Sequence, residues 1–174
     1  MVNCASYVLM TKIVLPIMLP KRRGLVFSVS SVLGIWPNAK ISIYSSTKKF
    51  ELHLNDALES EYLSDGIVFH AITPGAVSTK SGPWTSRRFW APSPEQIAND
   101  SLYAIGGCSS SSLGCLNHCI QLWLVQALFT PWMWTRVSGT IWWFVNKIKD
   151  DRHSEDGIVR SARNEAQSDP WKTE

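Results

Sequence analysis

The sequence predicts an α/β fold built on a parallel sheet, and three observations carry that prediction. Two short β-rich runs, Leu25–Ser31 and Ile67–Ile72, are each bounded by turn residues. Stretches with helical apolar spacing lie before, between and after them. A strand–helix–strand order of this kind pairs its strands in parallel through a right-handed crossover. Third, 174 residues with 45% hydrophobic and 18% charged side chains make one domain with enough apolar surface for a core.

The elements follow in order. Residues 3–19 read as a helix, with Val8, Leu9, Ile13, Met18 and Leu19 among the apolar positions. Pro20 and Lys21-Arg22-Arg23-Gly24 end it. Lys12 interrupts the run, and Pro16 and Pro20 argue against a clean membrane span. The basic cluster follows the apolar run, the reverse of a secretory signal. Leu25–Ser31 (LVFSVSS) fits a buried parallel strand. A helix over 43–63 follows, with Phe50, Leu54, Ala57, Leu58 and Tyr62 as its apolar row and Gly66 as its stop. Asp56, Glu59 and Glu61 are expected on its solvated face. Ile67–Ile72 (IVFHAI) is the next strand, closed by Thr73-Pro74-Gly75. Ser93 as N-cap and Pro94 at the first helical position open a helix to about Ile105. Ser109–Ser112 reads as a loop.

Composition divides the chain into an α/β part over 1–107, a hydrophobic segment over 113–146 and a polar tail over 147–174, expected to be solvated. A net charge of +3 with no block of like charges excludes nucleic acid as the expected partner. Four cysteines are too few for a disulfide scaffold. Cys115, His118 and Cys119 lack both the spacing and the second ligand pair of a zinc site, so no metal is expected. They read as buried or membrane-facing thiols beside a histidine. His53 and His70 read as structural.

Five of the nine tryptophans fall between Trp123 and Trp143. Two readings fit. One is a membrane-binding hairpin, Leu116–Phe129 and Trp132–Val145 broken at Pro131. Each arm is about 14 residues, short of the roughly 20 that span a bilayer, so the hairpin would lie in the interface, with Lys147 and Lys149 at the headgroups. The other is a substrate-pocket lid or a dimer surface.

The chemistry concentrates in Ser30-Ser31-Val32-Leu33-Gly34 and Tyr44-Ser45-Ser46-Thr47-Lys48. Tyr44 and Lys48 are four apart on the expected helix and share a face. Ser31 ends a strand, where open α/β sheets present their ligand site. An ammonium beside a phenol favours the phenolate, which would let Tyr44 exchange a proton with a carbonyl or alcohol. Ser31 could hydrogen-bond the same oxygen.

These residues resemble the short-chain dehydrogenase/reductase family. The match comprises Ser31 in SSVLG, Tyr44-x-x-x-Lys48 and Pro74-Gly75-Ala76-Val77-Ser78-Thr79, in order and at the family's spacings. Over roughly 3–146 the wording is similar to the 17-beta-hydroxysteroid dehydrogenase type 3/type 12 branch. That branch includes very-long-chain 3-oxoacyl-CoA reductases and hydroxysteroid dehydrogenase-like proteins. The resemblance implies the C-terminal half of a doubly wound, Rossmann-like parallel-sheet domain plus a hydrophobic helical extension. It implies reduction of a ketone on a lipid or steroid with NADP(H), NAD(H) not being excluded. It assigns Tyr44 as general acid, Lys48 to the nicotinamide ribose and to Tyr44, and Ser31 to the substrate carbonyl. Asn3 would hold a relay water, and Pro74, Gly75, Val77 and Thr79 would line the nicotinamide end. It also implies an endoplasmic reticulum membrane location, and a homodimer or pairing with a full-length relative through the helices of Tyr44 and Asn3.

The sequence departs from the family in lacking the glycine-rich T-G-x-x-x-G-x-G turn that binds the pyrophosphate. About four strands and three helices of the family's domain have no counterpart here. The expectation is therefore a truncated isoform, a partial gene model or a degenerate copy, with a catalytically inactive, membrane-associated or dimerising protein as the alternative function.

Overall fold

The computed structural model describes residues 2–79, 90–105 and 110–147. The order is α1 (Val2–Met18), β1 (Gly24–Val29), α2 (Ser42–Tyr62), β2 (Ile67–Ile72), α3 (Pro94–Ala104), β3 (Ser111–Ser112) and α4 (Leu116–Leu128). A last helix, α5, covers 131–147. The tail beyond 147 lies outside the described residues.

The sheet is parallel, in the order β1-β2-β3. The α/β class and the parallel pairing expected from the sequence are therefore present. The central strand β2 is apolar and almost wholly buried, with Ile67, Phe69 and Ala71 fully inaccessible. β1 alternates instead: Leu25, Phe27 and Val29 are 43%, 38% and 54% exposed. Among the described residues β1 pairs only with β2, so its other edge is open.

Gly66 closes the turn between α2 and β2 at φ 77°, after the 3-10 turn Leu63–Asp65. A side chain there would strike the Arg22 carbonyl oxygen, 2.2 Å from its Cβ, so glycine is required twice over. Ser93 caps α3 by accepting the Gln96 N–H, with Pro94 in the first turn, as expected.

Four expectations need correction. The first strand ends at Val29, and Ser31 caps the following 3-10 turn Val32–Gly34 rather than ending the strand. The apolar row of α2 is not its buried face. Phe50 is 40% exposed, while Ser45, Glu51, Leu52 and Asn55 are buried. Where the loop after β1 meets α2 the approach is so close that the helix presents a small, hydrogen-bonding side chain there, Ser45. Of the expected row, Tyr62 packs tilted on Phe69 at 6.2 Å.

Ser111–Ser112 is a strand, not a loop. Two serines carry no β signal, but the β2 backbone claims them: Ala71 N–H donates to Ser110 O and Thr73 N–H to Ser112 O. The acidic face of α2 is not simply solvated. Asp56 accepts from the Ser110 hydroxyl at 2.6 Å, and Glu59 accepts from the Phe69 N–H.

α1 lies on α2. Tyr7 donates to Asn55 Oδ1 at 3.2 Å, and Asn3 donates to Thr47 Oγ1 at 3.1 Å. The helix runs through Pro16, and with the 3-10 turn that follows it gives Val2–Lys21, 20 residues with mean hydropathy 1.6. Among the described residues this is the one helix long and apolar enough to cross a membrane.

Candidate active site

Because β1 and β2 run in parallel with Val29 opposite Ile72, the segments after both strands emerge at one edge of the sheet. That edge is where open α/β sheets bind ligands. The two segments are tied together, with Val32 N–H donating to Pro74 O at 3.1 Å.

The two serines there have different duties. Ser30 Oγ donates to Lys48 O at 2.9 Å and is spent on fixing α2. Ser31 accepts the Leu33 N–H at 3.2 Å, which leaves its own proton to donate. Gly34 permits the close approach of this turn to α2, since a Cβ would lie 2.8 Å from the Lys48 carbonyl carbon. Asn38 and Ser45 complete the clamp. Asn38 Nδ2 donates to Leu33 O at 2.9 Å and to Trp36 O at 2.7 Å, and Ser45 Oγ donates to Leu33 O at 2.7 Å. Tyr44, next to Ser45, is thereby held at the mouth of the site and stays 41% exposed.

Ser31, Tyr44, Gly75 and Ala76 line one cavity of about 410 Å³. Its roof is α5, whose Trp134, Ser138, Ile141, Trp142 and Val145 recur at helical spacing. Ser138 Oγ accepts the Ala39 N–H at 3.2 Å and joins the roof to the loop after β1. Of the two readings of the Trp-rich segment, a lid over the pocket thus matches the inner face of α5. The outer faces carry Trp123, Leu128, Trp132, Trp143 and Phe144, each more than half exposed.

The other sequence-selected residues lie farther back. The Lys48 ammonium donates to Val29 O at 2.8 Å and pairs with Glu51 at 2.9 Å. It stands 5.9 Å from the Tyr44 ring centroid. Asn3 is bonded to Thr47 and lines a separate hollow of about 230 Å³ with Phe27, Val29 and Glu51. Val77 is half-buried and Thr79 exposed.

His118 serves the loop after β2. It accepts the Gly75 N–H on Nδ1 at 3.1 Å, and its Nε2 lies 3.1 Å from Ala76 O. With one nitrogen accepting, the other carries the proton and donates to Ala76. The neighbouring Cys115 is buried, which pushes its thiol above the usual range, whereas Cys119 is exposed. Sequence reasoning missed Asn38, Glu51, Trp134 and Ser138. No motif marks them, because their roles come from contacts across long stretches of chain.

The comparisons agree with this geometry. The family model for short chain dehydrogenase matches residues 1–87, half of the chain. The chain belongs to the short-chain dehydrogenase family. A very-long-chain 3-oxoacyl-CoA reductase from Anas platyrhynchos is 32% identical over 129 residues, 74% of this chain and 41% of the relative. The chain thus spans about two fifths of that relative's length. Among solved structures, a 7beta-hydroxysteroid dehydrogenase superposes with TM-score 0.69 at 23% identity, covering 79% of this chain and 55% of that one. A short-chain dehydrogenase from Sphingobium yanoikuyae in complex with NADPH gives TM-score 0.57 at 20% identity, covering 72% and 51%. These two show the short-chain dehydrogenase fold, of which this chain forms part.

Proposed function

We propose that the chain carries the catalytic half of an NADP(H)-dependent reductase acting on a lipid ketone, either a 3-oxoacyl-CoA or a 17-ketosteroid. The observation that carries this reading is the single cavity shared by Ser31, Tyr44 and Gly75 at the ligand-binding edge of the sheet. The name of the duck reductase supports the 3-oxoacyl-CoA class, that of the 7beta-hydroxysteroid dehydrogenase supports a steroid without pointing to its 17 position, and the NADPH-bound neighbour supports the cofactor. NAD(H) is the alternative.

The residues present suit the nicotinamide end of the cofactor. The bare Gly75 backbone forms part of the cavity wall, where a Cβ would come within 2.9 Å of His118. Pro74, Gly75, Val77 and Thr79 would hold that end and Lys48 the ribose. When bound, the reduced nicotinamide supplies the hydride that reduces the carbonyl carbon. Tyr44 gives its phenolic proton to the carbonyl oxygen. Ser31 donates a hydrogen bond to the same oxygen, and Asn3 would hold the water that restores the tyrosine proton. The apolar roof of α5 keeps bulk water out. The apolar outer faces of α4 and α5 suit a membrane surface, which fits an endoplasmic reticulum location, and the exposed row of α2 suits a dimer partner.

One observation favours a second reading, a non-catalytic membrane-associated or dimerising protein: the Lys48 ammonium is already engaged by Glu51 and Val29. Titrating the purified chain in mild detergent with NADPH, followed by tryptophan-to-nicotinamide energy transfer, separates the two. Saturable binding weakened by Lys48→Ala, and 3-oxoacyl-CoA or ketosteroid reduction lost by about 100-fold or more in Tyr44→Phe, support the enzyme. Absent binding by a folded chain supports the second reading.

A further inference from the structure

A second cavity, of about 190 Å³, lies behind the first. Both are lined by Val32, Leu33, Gly75, Ala76 and Trp134, so they share a wall. The outer one holds Ser31 and Tyr44; the inner one extends under α4 to Leu122 and Val125. Trp134 is the α5 residue common to both, on the wall they share. Its indole N–H donates to Asn38 Oδ1 at 3.0 Å, and its ring packs on Phe129 at 6.1 Å and Trp36 at 6.3 Å.

The inner cavity is largely apolar, and the three polar side chains in its wall, Asn38, His118 and Gln121, all have partners already. The Asn38 carboxamide is spent on Leu33, Trp36 and Trp134, and both His118 nitrogens are spent on the Gly75–Ala76 backbone. A polar ligand group entering here would lose water without gaining those partners. In size the cavity suits a hydrocarbon end, since an apolar cavity of about 150 Å³ already accepts a benzene ring. A fused multi-ring body needs more, as pockets for whole drug-sized ligands start near about 300 Å³.

Resting on the ketone-reductase reading, we propose that the inner cavity receives the apolar end of the substrate and that Trp134, on the wall the two cavities share, determines which ends fit. The reacting carbonyl stays in the outer cavity, and the hydrocarbon passes the indole toward Val125. A slim, unbranched end fits; a fused multi-ring one does not.

The test is calorimetric binding of straight-chain methyl ketones of increasing length to the full chain, needing no turnover. Each buried methylene strengthens binding about fourfold until the pocket is full. Val125→Trp plugs the inner cavity, and the affinity should stop rising several carbons earlier than in the wild type. Val125→Phe, a smaller plug, should shift the limit less and replaces it if circular dichroism shows Val125→Trp misfolded. Trp134→Ala should admit a ketone ending in a fused multi-ring group that the wild type rejects by at least tenfold. An unchanged length limit in the plugged variants overturns the proposal, as does the wild type binding fused-ring-terminated and straight chains alike. If the length limit shifts as expected while no reduction is detectable, the binding inference stands and the reductase reading falls.

Discussion

The Lys48 ammonium lies 2.9 Å from the Glu51 carboxylate, and the two side chains are only 13% and 8% exposed. With Val29 O at 2.8 Å as a further acceptor, the lysine is held on the β1 side of α2. Holding a cofactor ribose would require it to release at least one of these partners. Glu51→Gln keeps a hydrogen-bond acceptor but removes the charge. NADPH should then bind about three- to tenfold more tightly, because a charge-assisted bond is weakened to a neutral one. The melting temperature should fall, at a cost of about 1–3 kcal/mol, because a mostly buried ammonium loses its counterion. Weaker NADPH binding would mean instead that Glu51 orients Lys48 for the cofactor.

Gly75 and His118 form the second coupling. The imidazole is 1% exposed and clamped from two sides by Gly75 N and Ala76 O. A methyl group at Gly75 would lie 2.9 Å from His118 Cδ2, and the ring cannot yield without breaking its bonds. Gly75→Ala should therefore destabilise by about 1–3 kcal/mol through overpacking. His118→Ala should cost about 2–4 kcal/mol, since it leaves a cavity and two backbone groups without partners. Paired denaturant titrations check both. The double variant should cost less than the sum, because the added methyl finds the space the ring has vacated.

The contrast between these residues shows what the sequence could reveal. Ser31, Tyr44 and the Pro74–Thr79 run could be singled out because residue type and spacing mark them within short segments, and the structure brings Ser31, Tyr44 and Gly75 to one cavity. The strand at Ile67–Ile72 was visible because a doubly covered strand is a nearly continuous apolar run, broken here by His70 alone. Trp134, Ser138 and Asn38 were not, since Trp134 meets Asn38 across 96 positions of chain. The buried face of α2 was misjudged for a related reason. Its core side is chosen by distant partners: the close turn at Gly34 favours Ser45, and Tyr7 and Ser110 claim Asn55, while the apolar Phe50 stays exposed. β3 was hidden because Ser111 and Ser112 carry no apolar pattern and join the sheet through hydrogen bonds of the backbone and of the Ser112 hydroxyl to His70.

Gly66 offers a stability test independent of the site. Its φ of 77° is left-handed, and an added Cβ would sit 2.2 Å from the Arg22 carbonyl oxygen. The same turn carries Gly24 N–H to Gly66 O at 3.3 Å and the Arg22 guanidinium to Ser64 O at 2.8 Å. Gly66→Ala must therefore open the junction where α2 enters β2. A loss of about 1–3 kcal/mol is expected, measured as a lower melting temperature. An unchanged melting temperature would show that the turn relaxes without disturbing β1.

Alkaline pH provides the last test, because two buried acids both prefer to stay protonated in the fold. Burial holds the Tyr7 phenol above its ordinary value of 10.0, with the nearby Glu51 and Asp56 charges adding to the effect and the neighbouring Ser28 hydroxyl opposing it. Burial likewise holds Cys115 above the ordinary 9.0. Above those ordinary values the unfolded chain releases protons that the folded chain retains. Stability is therefore fully present below about pH 9 and declines as pH rises toward the folded values. Urea titrations between about pH 7 and pH 11 should show this decline, which Tyr7→Phe and Cys115→Ala should each flatten at the alkaline end. Iodoacetamide should label Cys119 before Cys115 at every pH in that range, since the exposed thiol is reached first. If Cys115 reacts as fast as Cys119, the contact between α4 and the Gly75 loop opens far more readily than its hydrogen bonds imply.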